Sequence, residues 1–159
     1  MINGINSREM ILEILLEIEE GEHSHVAIRN ALSKYQFLPK QDRAFITRVC
    51  EGTLEYRIQI DYIINSFSKV TVDKMKPAIR EILRSAVYQL KYMDSVPDSA
   101  VCNEAVKLAQ RKGFYNLKPF VNGVLRTIAR EMDQVRFPQK EDDLLKYLSV
   151  KYSMPEVLV

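Results

Sequence analysis

The sequence is poor in the residues that build metal sites. Its 159 residues include only two cysteines and two histidines. Cys50 and Cys102 have no CxxC neighbour and no nearby histidine, so neither a zinc site nor a disulfide framework is indicated, and we expect both to be buried free thiols. His23 and His25 flank Ser24 in a predicted turn, where solvated histidines are favoured over a metal pair. The sequence therefore predicts no metal site.

Glycine is also scarce, and its spacing excludes the common phosphate-binding loops. The five glycines lie at positions 4, 21, 52, 113 and 123, and none is spaced as in a GxGxxG motif or a P-loop. No pair of carboxylates has a defined spacing for acid–base work. We therefore predict that this chain has no catalytic residues and binds no cofactor.

Long apolar runs are missing as well. No run approaches the ~18 to 20 residues that span a bilayer. The first ten residues, MINGINSREM, lack the basic-then-apolar order of a secretory signal. From these absences we predict a cytoplasmic protein that does not contact a membrane.

What the sequence does contain is helical periodicity. Apolar residues recur at three- and four-residue spacing along most of the chain, and no segment of any length alternates as a strand does. We predict an all-α fold of about seven helices packed as two small bundles. The predicted helices lie at 7–20, 24–35, 40–56, 58–67, 77–90, 98–113 and 118–133.

The predicted helix ends follow from local chemistry. Asn6 should cap the first helix together with Glu9, Ser24 should cap the second, and Asp98 or Ser99 the sixth. Gly21 and Gly113 should end the first and sixth helices.

Two points divide the chain. Residues 68–76 have poor periodicity and predict a connection between subdomains of about 1–67 and 75–140. A last short helix is expected to begin at Asp142 or Asp143 within residues 141–159, and the tail YSMPEVLV resembles the start of a linker.

The helix at 118–133 carries the most informative surface. Phe120, Val121, Val124, Leu125 and Ile128 form a wide apolar arc. The opposite edge has three cations and one amide at four-residue spacing, which we call the basic ridge: Lys118, Asn122, Arg126 and Arg130. This ridge is the best candidate surface for a phosphate backbone.

Gly123 lies inside the same predicted helix. A glycine there weakens a helix by roughly 1 kcal/mol relative to alanine, so we expect another backbone to approach closely.

The distribution of charge along the sequence also favours this region as the phosphate-binding surface. The formal net charge of +2 indicates no nucleic-acid binding by itself, but residues 71–133 hold eleven Lys/Arg against seven Asp/Glu. Arg80 and Arg84 are predicted to lie one turn apart on the outside of the helix at 77–90. Together with Arg8 they extend the set of candidate RNA contacts, and exposed aromatic residues would stack on unpaired bases. The alternative is that these are ordinary surface arginines in weak ion pairs.

Three segments carry a resemblance to a known family. PAIREILRSAVYQL (77–90), VPDSAVCNEAVKLAQRKG (96–113) and FVNGVLRTIARE (120–131) agree in order and spacing with the NusB-type RNA-binding fold. Residues 7–19 and 41–64 support the resemblance more loosely. It implies an all-α fold with helices in two bundles, and RNA as the ligand.

The family has two branches. One is the stand-alone antitermination factor, which binds boxA RNA together with a small-subunit ribosomal protein. The other is the N-terminal domain of a 16S rRNA (cytosine-5) methyltransferase. The second is favoured because the first helix carries only Arg8, because Arg126 stands where antitermination factors often have an acidic residue, and because residues 144–159 look like a connection to a methyltransferase domain.

The favoured branch implies a non-catalytic domain that helps to bind 16S rRNA. S-adenosylmethionine would be the cofactor of the parent enzyme, bound by a catalytic methyltransferase domain in cis and not by this chain. A third alternative, from another class of function, is a helical module that docks on protein and does not contact RNA.

Overall fold

The computed structural model describes residues 6–135, 144–153 and 155. In these ranges the chain is helical and contains no strand, which confirms the predicted all-α class. The helices are α1 (Ser7–Glu19), α2 (Ser24–Lys34), α3 (Lys40–Glu55), α4 (Arg57–Phe67), α5 (Pro77–Tyr92), α6 (Asp98–Arg111), α7 (Lys118–Glu131) and α8 (Leu144–Tyr152). Short 3-10 turns lie at Val72–Lys74, Tyr115–Leu117 and Met132–Gln134. None of the described helices is long and apolar enough to cross a membrane.

The helix ends agree in part with the prediction. Asn6 Oδ1 accepts a hydrogen bond from the backbone N–H of Glu9 at 2.8 Å, and Gly21 and Gly113 end their helices with φ of +116° and +88°. The predicted cap at Ser24 is wrong, since Ser24 already lies in the first turn of α2.

The predicted cap of α6 is wrong for the same reason. Asp98 and Ser99 both lie inside the helix, and the preceding Pro97 makes no side-chain bond to it.

Helix α5 lies at the centre of the fold. It packs against five other helices, α1, α3, α4, α6 and α7. Its buried face includes Ile79, Ile82, Leu83 and Val87, each at most 1% exposed. Because α5 is shared, the buried apolar residues of the two bundles form one continuous core.

Two glycines behave in opposite ways. The ring of Tyr88 on α5 occupies the space where a side chain on Gly52 of α3 would lie, so glycine is needed for this close contact. Apart from its own helix, no heavy atom of the described residues lies within 4 Å of a Cβ placed on Gly123. The expectation that another backbone approaches Gly123 is therefore wrong for the described part of the chain.

Helix α8 packs on α4. Its predicted start at Asp142 or Asp143 lies outside the described residues, as do residues 154 and 156–159 of the predicted linker. Of the described residues in that tail, Tyr152 is the last residue of α8, and Ser153 is hydrogen-bonded to α4.

Candidate nucleic-acid interface

Helices α6 and α7 present a row of cations and amides. Arg126 on α7 donates from Nε to Asn122 Oδ1 at 3.1 Å and from a terminal nitrogen to Asn103 Oδ1 on α6 at 2.7 Å. Lys118, two turns earlier on α7, donates to Gln110 Oε1, two turns later on α6, at 2.7 Å. The two helices are therefore antiparallel, and two residues of the basic ridge, Lys118 and Arg126, form hydrogen bonds between them.

The hydrogen-bond partners of Lys118 and Arg126 on α6 are uncharged amides. Asn and Gln side chains carry no charge, so they orient Arg126 and Lys118 without neutralising them. A phosphate oxygen that approaches can still form charge-assisted hydrogen bonds with both.

Two exposed cations widen the row. Lys107 on α6 is 62% exposed and lies 3.6 Å from Glu104, and Arg130 on α7 is 67% exposed and lies 3.0 Å from Glu131. Ion pairs this exposed contribute little to stability. A phosphate can replace either carboxylate at small cost.

Tyr115 adds an aromatic ring to this surface. It is 64% exposed, and the Nζ of Lys118 lies 4.6 Å from its ring centroid. An exposed ring beside a cation suits stacking on an unpaired base.

We call the combined surface the α6–α7 face. It comprises eight residues: Asn103, Lys107, Gln110, Tyr115, Lys118, Asn122, Arg126 and Arg130. The first four of these were not predicted from the sequence. The available signal was the spacing of polar residues at 103, 107 and 110 along α6, which places them on one side of that helix.

Arg84 is held within the protein. It donates to the two carboxylate oxygens of Asp61 on α4 at 2.8 Å each and to Glu81 Oε2 at 2.7 Å. Its side chain is 11% exposed. Burial by itself would lower the pKa of Arg84, but the bonds to Asp61 and the charge of Glu81 outweigh burial and raise it. The prediction that Arg84 lies on the outside of α5 is therefore wrong.

Arg80, like Arg84, is bonded to other residues of the protein and is not free on its surface. It forms an ion pair with Glu19 at the end of α1 and donates to the backbone carbonyls of Val72 at 3.0 Å and Met75 at 3.3 Å. Its side chain is 15% exposed, so its predicted outside position is also wrong. RNA contact by Arg80 and Arg84 stays a prediction, and their pairing with carboxylates disfavours it.

A buried carboxyl lies beside these arginines. Glu81 is 4% exposed. Burial and a hydrogen bond with Glu19 raise the pKa of Glu81 to about 8, against the opposing effect of Arg84. For Glu19, burial acts to raise the pKa, but the bonds with Glu81 and Arg80 outweigh it and lower the pKa.

Arg8 is half-buried on α1. Its Nε donates to Gln89 Oε1 at 3.2 Å, and its guanidinium carbon lies 5.2 Å from the ring centroid of Phe45. Burial lowers the pKa of Arg8, although the nearby charge of Glu104 on α6 acts to raise it. Contact of Arg8 with RNA stays a prediction.

The described part of the chain contains no cluster of three His, Cys, Asp or Glu side chains able to hold a metal ion. Cys50 and Cys102 are both buried, as predicted. Burial also raises the pKa of each thiol, which leaves both protonated at neutral pH.

Comparison with known proteins gives the relationship of this chain. The model of the NusB family matches residues 5–130. A probable ribosomal RNA small subunit methyltransferase B of Bacillus subtilis is 34% identical over 152 residues, which are 96% of this chain and 33% of that protein. The chain thus spans about a third of the length of this relative.

Two further similarities concern antitermination proteins. A transcription antitermination protein NusB of Bacillus velezensis is 33% identical over 128 residues, which are 80% of this chain and 95% of that protein. A solved structure of antitermination factors NusB and NusE in complex with dsRNA contains a chain of the same fold, with a TM-score of 0.71 and 21% identity over 78% of this chain and 93% of that one. Both the family match and the fold lead to one conclusion: the chain belongs to the NusB family.

Proposed function

We propose that this chain is a non-catalytic RNA-binding domain whose α6–α7 face contacts RNA. The observation that carries the proposal is the pairing of Arg126 and Lys118 with neutral amides, which orients both cations and leaves their charge available. Phosphates are natural ligands for such a row, and the ring of Tyr115 suits stacking on a base. The solved NusB complex contains dsRNA, which supports RNA as the class of ligand.

We further propose that the domain helps a methyltransferase to bind 16S rRNA. The similarity to the Bacillus subtilis methyltransferase covers 96% of this chain, so it continues past residue 130 into α8. In this proposal a catalytic domain in cis binds S-adenosylmethionine and transfers the methyl group. The NusB-family domain supplies affinity for the RNA.

A binding assay with matched variants tests the RNA proposal. Fluorescence anisotropy would compare the unsubstituted chain with Lys118→Gln/Arg126→Gln, in which both charges are lost and the amide contacts can persist. The control is Arg29→Gln/Lys34→Gln, which removes two exposed charges from α2. We expect the Lys118→Gln/Arg126→Gln variant to lose about tenfold in affinity for small-subunit rRNA fragments. Equal affinities of this variant and the control would contradict the proposal.

The alternative is a stand-alone antitermination factor. It is supported by the Bacillus velezensis protein, of which this chain matches 95%. It predicts that boxA RNA binds more tightly than rRNA fragments, and that a ribosomal protein partner increases the affinity. A preference for rRNA fragments would select the methyltransferase branch. If neither RNA binds, the third alternative, a protein-docking module, gains support.

A further inference from the structure

The start of α4 has no cap from its own neighbourhood. Helix α4 follows α3 after the single residue Tyr56, whose side chain makes no capping hydrogen bond. The first N–H groups of a helix have no partner within that helix. Those of α4 must therefore be bonded from elsewhere.

Ser153, directly after α8, provides this partner. Its Oγ accepts hydrogen bonds from the backbone N–H of Ile58 at 3.0 Å and of Gln59 at 3.3 Å. These are the second and third residues of α4, the same donors that a local capping serine would serve. Ser153 thus acts as the cap of a helix that lies 95 residues earlier in the chain.

The backbone of Ser153 is held in an unusual conformation. Its φ is +54°, a left-handed value that a residue with a Cβ adopts infrequently. Such a conformation persists where surrounding contacts specify it. Here those contacts are the two hydrogen bonds to α4 and the hydrogen bond from the backbone N–H of Ser153 to the carbonyl of Val150 at 3.3 Å.

Hydrogen bonds from the side chain of Gln59 also join α8 to α4 and α5. Gln59 Nε2 donates to the carbonyl of Lys151 at 3.3 Å, and Gln59 Oε1 accepts from the hydroxyl of Tyr92 at the end of α5. Ser149 and Val150 on α8 are 4% and 5% exposed. The last two turns of α8 are therefore tied to α4 and, through Gln59, to α5.

Because α8 lies near the end of the described chain, its docking determines where the polypeptide leaves the domain. Helix α8 lies beyond residues 5–130, which the family model matches. The chain continues from Ser153 to Pro155, which is exposed. Any polypeptide that follows must therefore leave from a site beside the first turn of α4.

We infer that α8 is a docked connector and that Ser153 is its positioning residue. By capping α4, Ser153 fixes the point at which the polypeptide leaves the domain. A domain that follows is thereby tethered at a defined position relative to the α6–α7 face. This last consequence rests on the proposed function, whereas the docking of α8 does not.

A distance measurement tests the inference on the 159-residue chain. Spin labels on Lys107→Cys and Pro155→Cys report the position of the exit point relative to α6, since both native cysteines are buried. Double electron–electron resonance should give one narrow distance distribution. Ser153→Ala should broaden it and speed amide exchange at Ile58 and Gln59 about fivefold, as for the loss of a helix cap.

Two further variants separate the cap from a general loss of stability. Ser153→Asn keeps an acceptor and tolerates a positive φ, so it should restore the narrow distribution. Ser66→Ala is the control, since the hydroxyl of Ser66 bonds to the carbonyl of Tyr62 in its own helix at 2.8 Å, and it should change neither readout.

A broad distribution before any substitution of Ser153 would overturn the inference. So would a narrow distribution that Ser153→Ala leaves unchanged, with Ile58 and Gln59 still protected. Neither readout involves RNA, so a failure here is distinct from a failure of the RNA-binding proposal.

Discussion

Gly123→Ala should make the protein more stable and a weaker RNA binder. Gly123 lies in the interior of α7, and its φ is not positive. It is exposed, and apart from its own helix no described heavy atom lies within 4 Å of a Cβ placed there. Nothing in the described chain therefore needs glycine at this position. On the helix it lies one turn before Arg126 and two turns before Arg130, at the edge of the α6–α7 face.

The expected gain in stability follows from helix propensity. Alanine is favoured over glycine in an exposed helix interior by about 0.8–1.0 kcal/mol. For a chain of this length, 1 kcal/mol corresponds to a rise in the melting temperature of about 2–4 °C. If the bare backbone at Gly123 allows a phosphate to approach α7, the added methyl group should weaken RNA binding about threefold to tenfold.

Thermal unfolding and fluorescence anisotropy measure the two effects on the same sample. Gly113→Ala is the contrasting variant, because Gly113 has φ of +88° and alanine there is strained by about 1–2 kcal/mol. It should lower the melting temperature. If Gly123→Ala raises the melting temperature but leaves the RNA affinity unchanged, close approach of RNA to this helix is refuted.

Three other predictions concern the fold. Gly52→Ala forces a methyl group into the ring of Tyr88 and should destabilise the protein by about 1–3 kcal/mol in urea unfolding; an unchanged midpoint would contradict the contact. Arg84→Gln leaves Asp61 without its partner and should cost about 2–3 kcal/mol of unfolding free energy with RNA affinity unchanged; an affinity loss without destabilisation would place Arg84 in the interface. For Glu81 the raised folded pKa means that its stabilising contribution is complete below the unfolded pKa of about 4.3 and is lost as pH rises through about 8. In unfolding measurements from pH 5 to 9, Glu81→Gln should flatten this fall, and an unaltered pH profile would show that Glu81 is not its source.

The helices could be predicted because their signals are local. The apolar spacing along α5 and α7 depends on residues within a few turns, and the glycines at the ends of α1 and α6 supply the positive φ that a helix end often needs. The NusB-type resemblance, carried by three segments of the sequence, is confirmed by the family match.

The contacts that were missed join residues far apart in the chain. Periodicity predicts that Arg80 and Arg84 lie on the outside of α5, but they pair with Glu19 on α1 and Asp61 on α4. The cap of α4 by Ser153 spans 95 residues and has no local sequence signal.

Gly52 and Gly123 also show that the sequence alone does not predict contacts between distant residues. A glycine inside a helix predicts a close approach, but the sequence does not say what approaches. At Gly52 it is the ring of Tyr88, whereas the space beside Gly123 is empty of any described residue. Only the packing of the helices distinguishes the two positions.

The salt dependence of RNA binding tests the central claim most directly. If Lys107, Lys118, Arg126 and Arg130 each neutralise one phosphate of single-stranded RNA, log K against log salt should have a slope of about −2.8. Replacement of Lys118 and Arg126 by glutamine should reduce the slope by about 1.4. A slope that this double substitution leaves unchanged would show that RNA binds elsewhere on the domain.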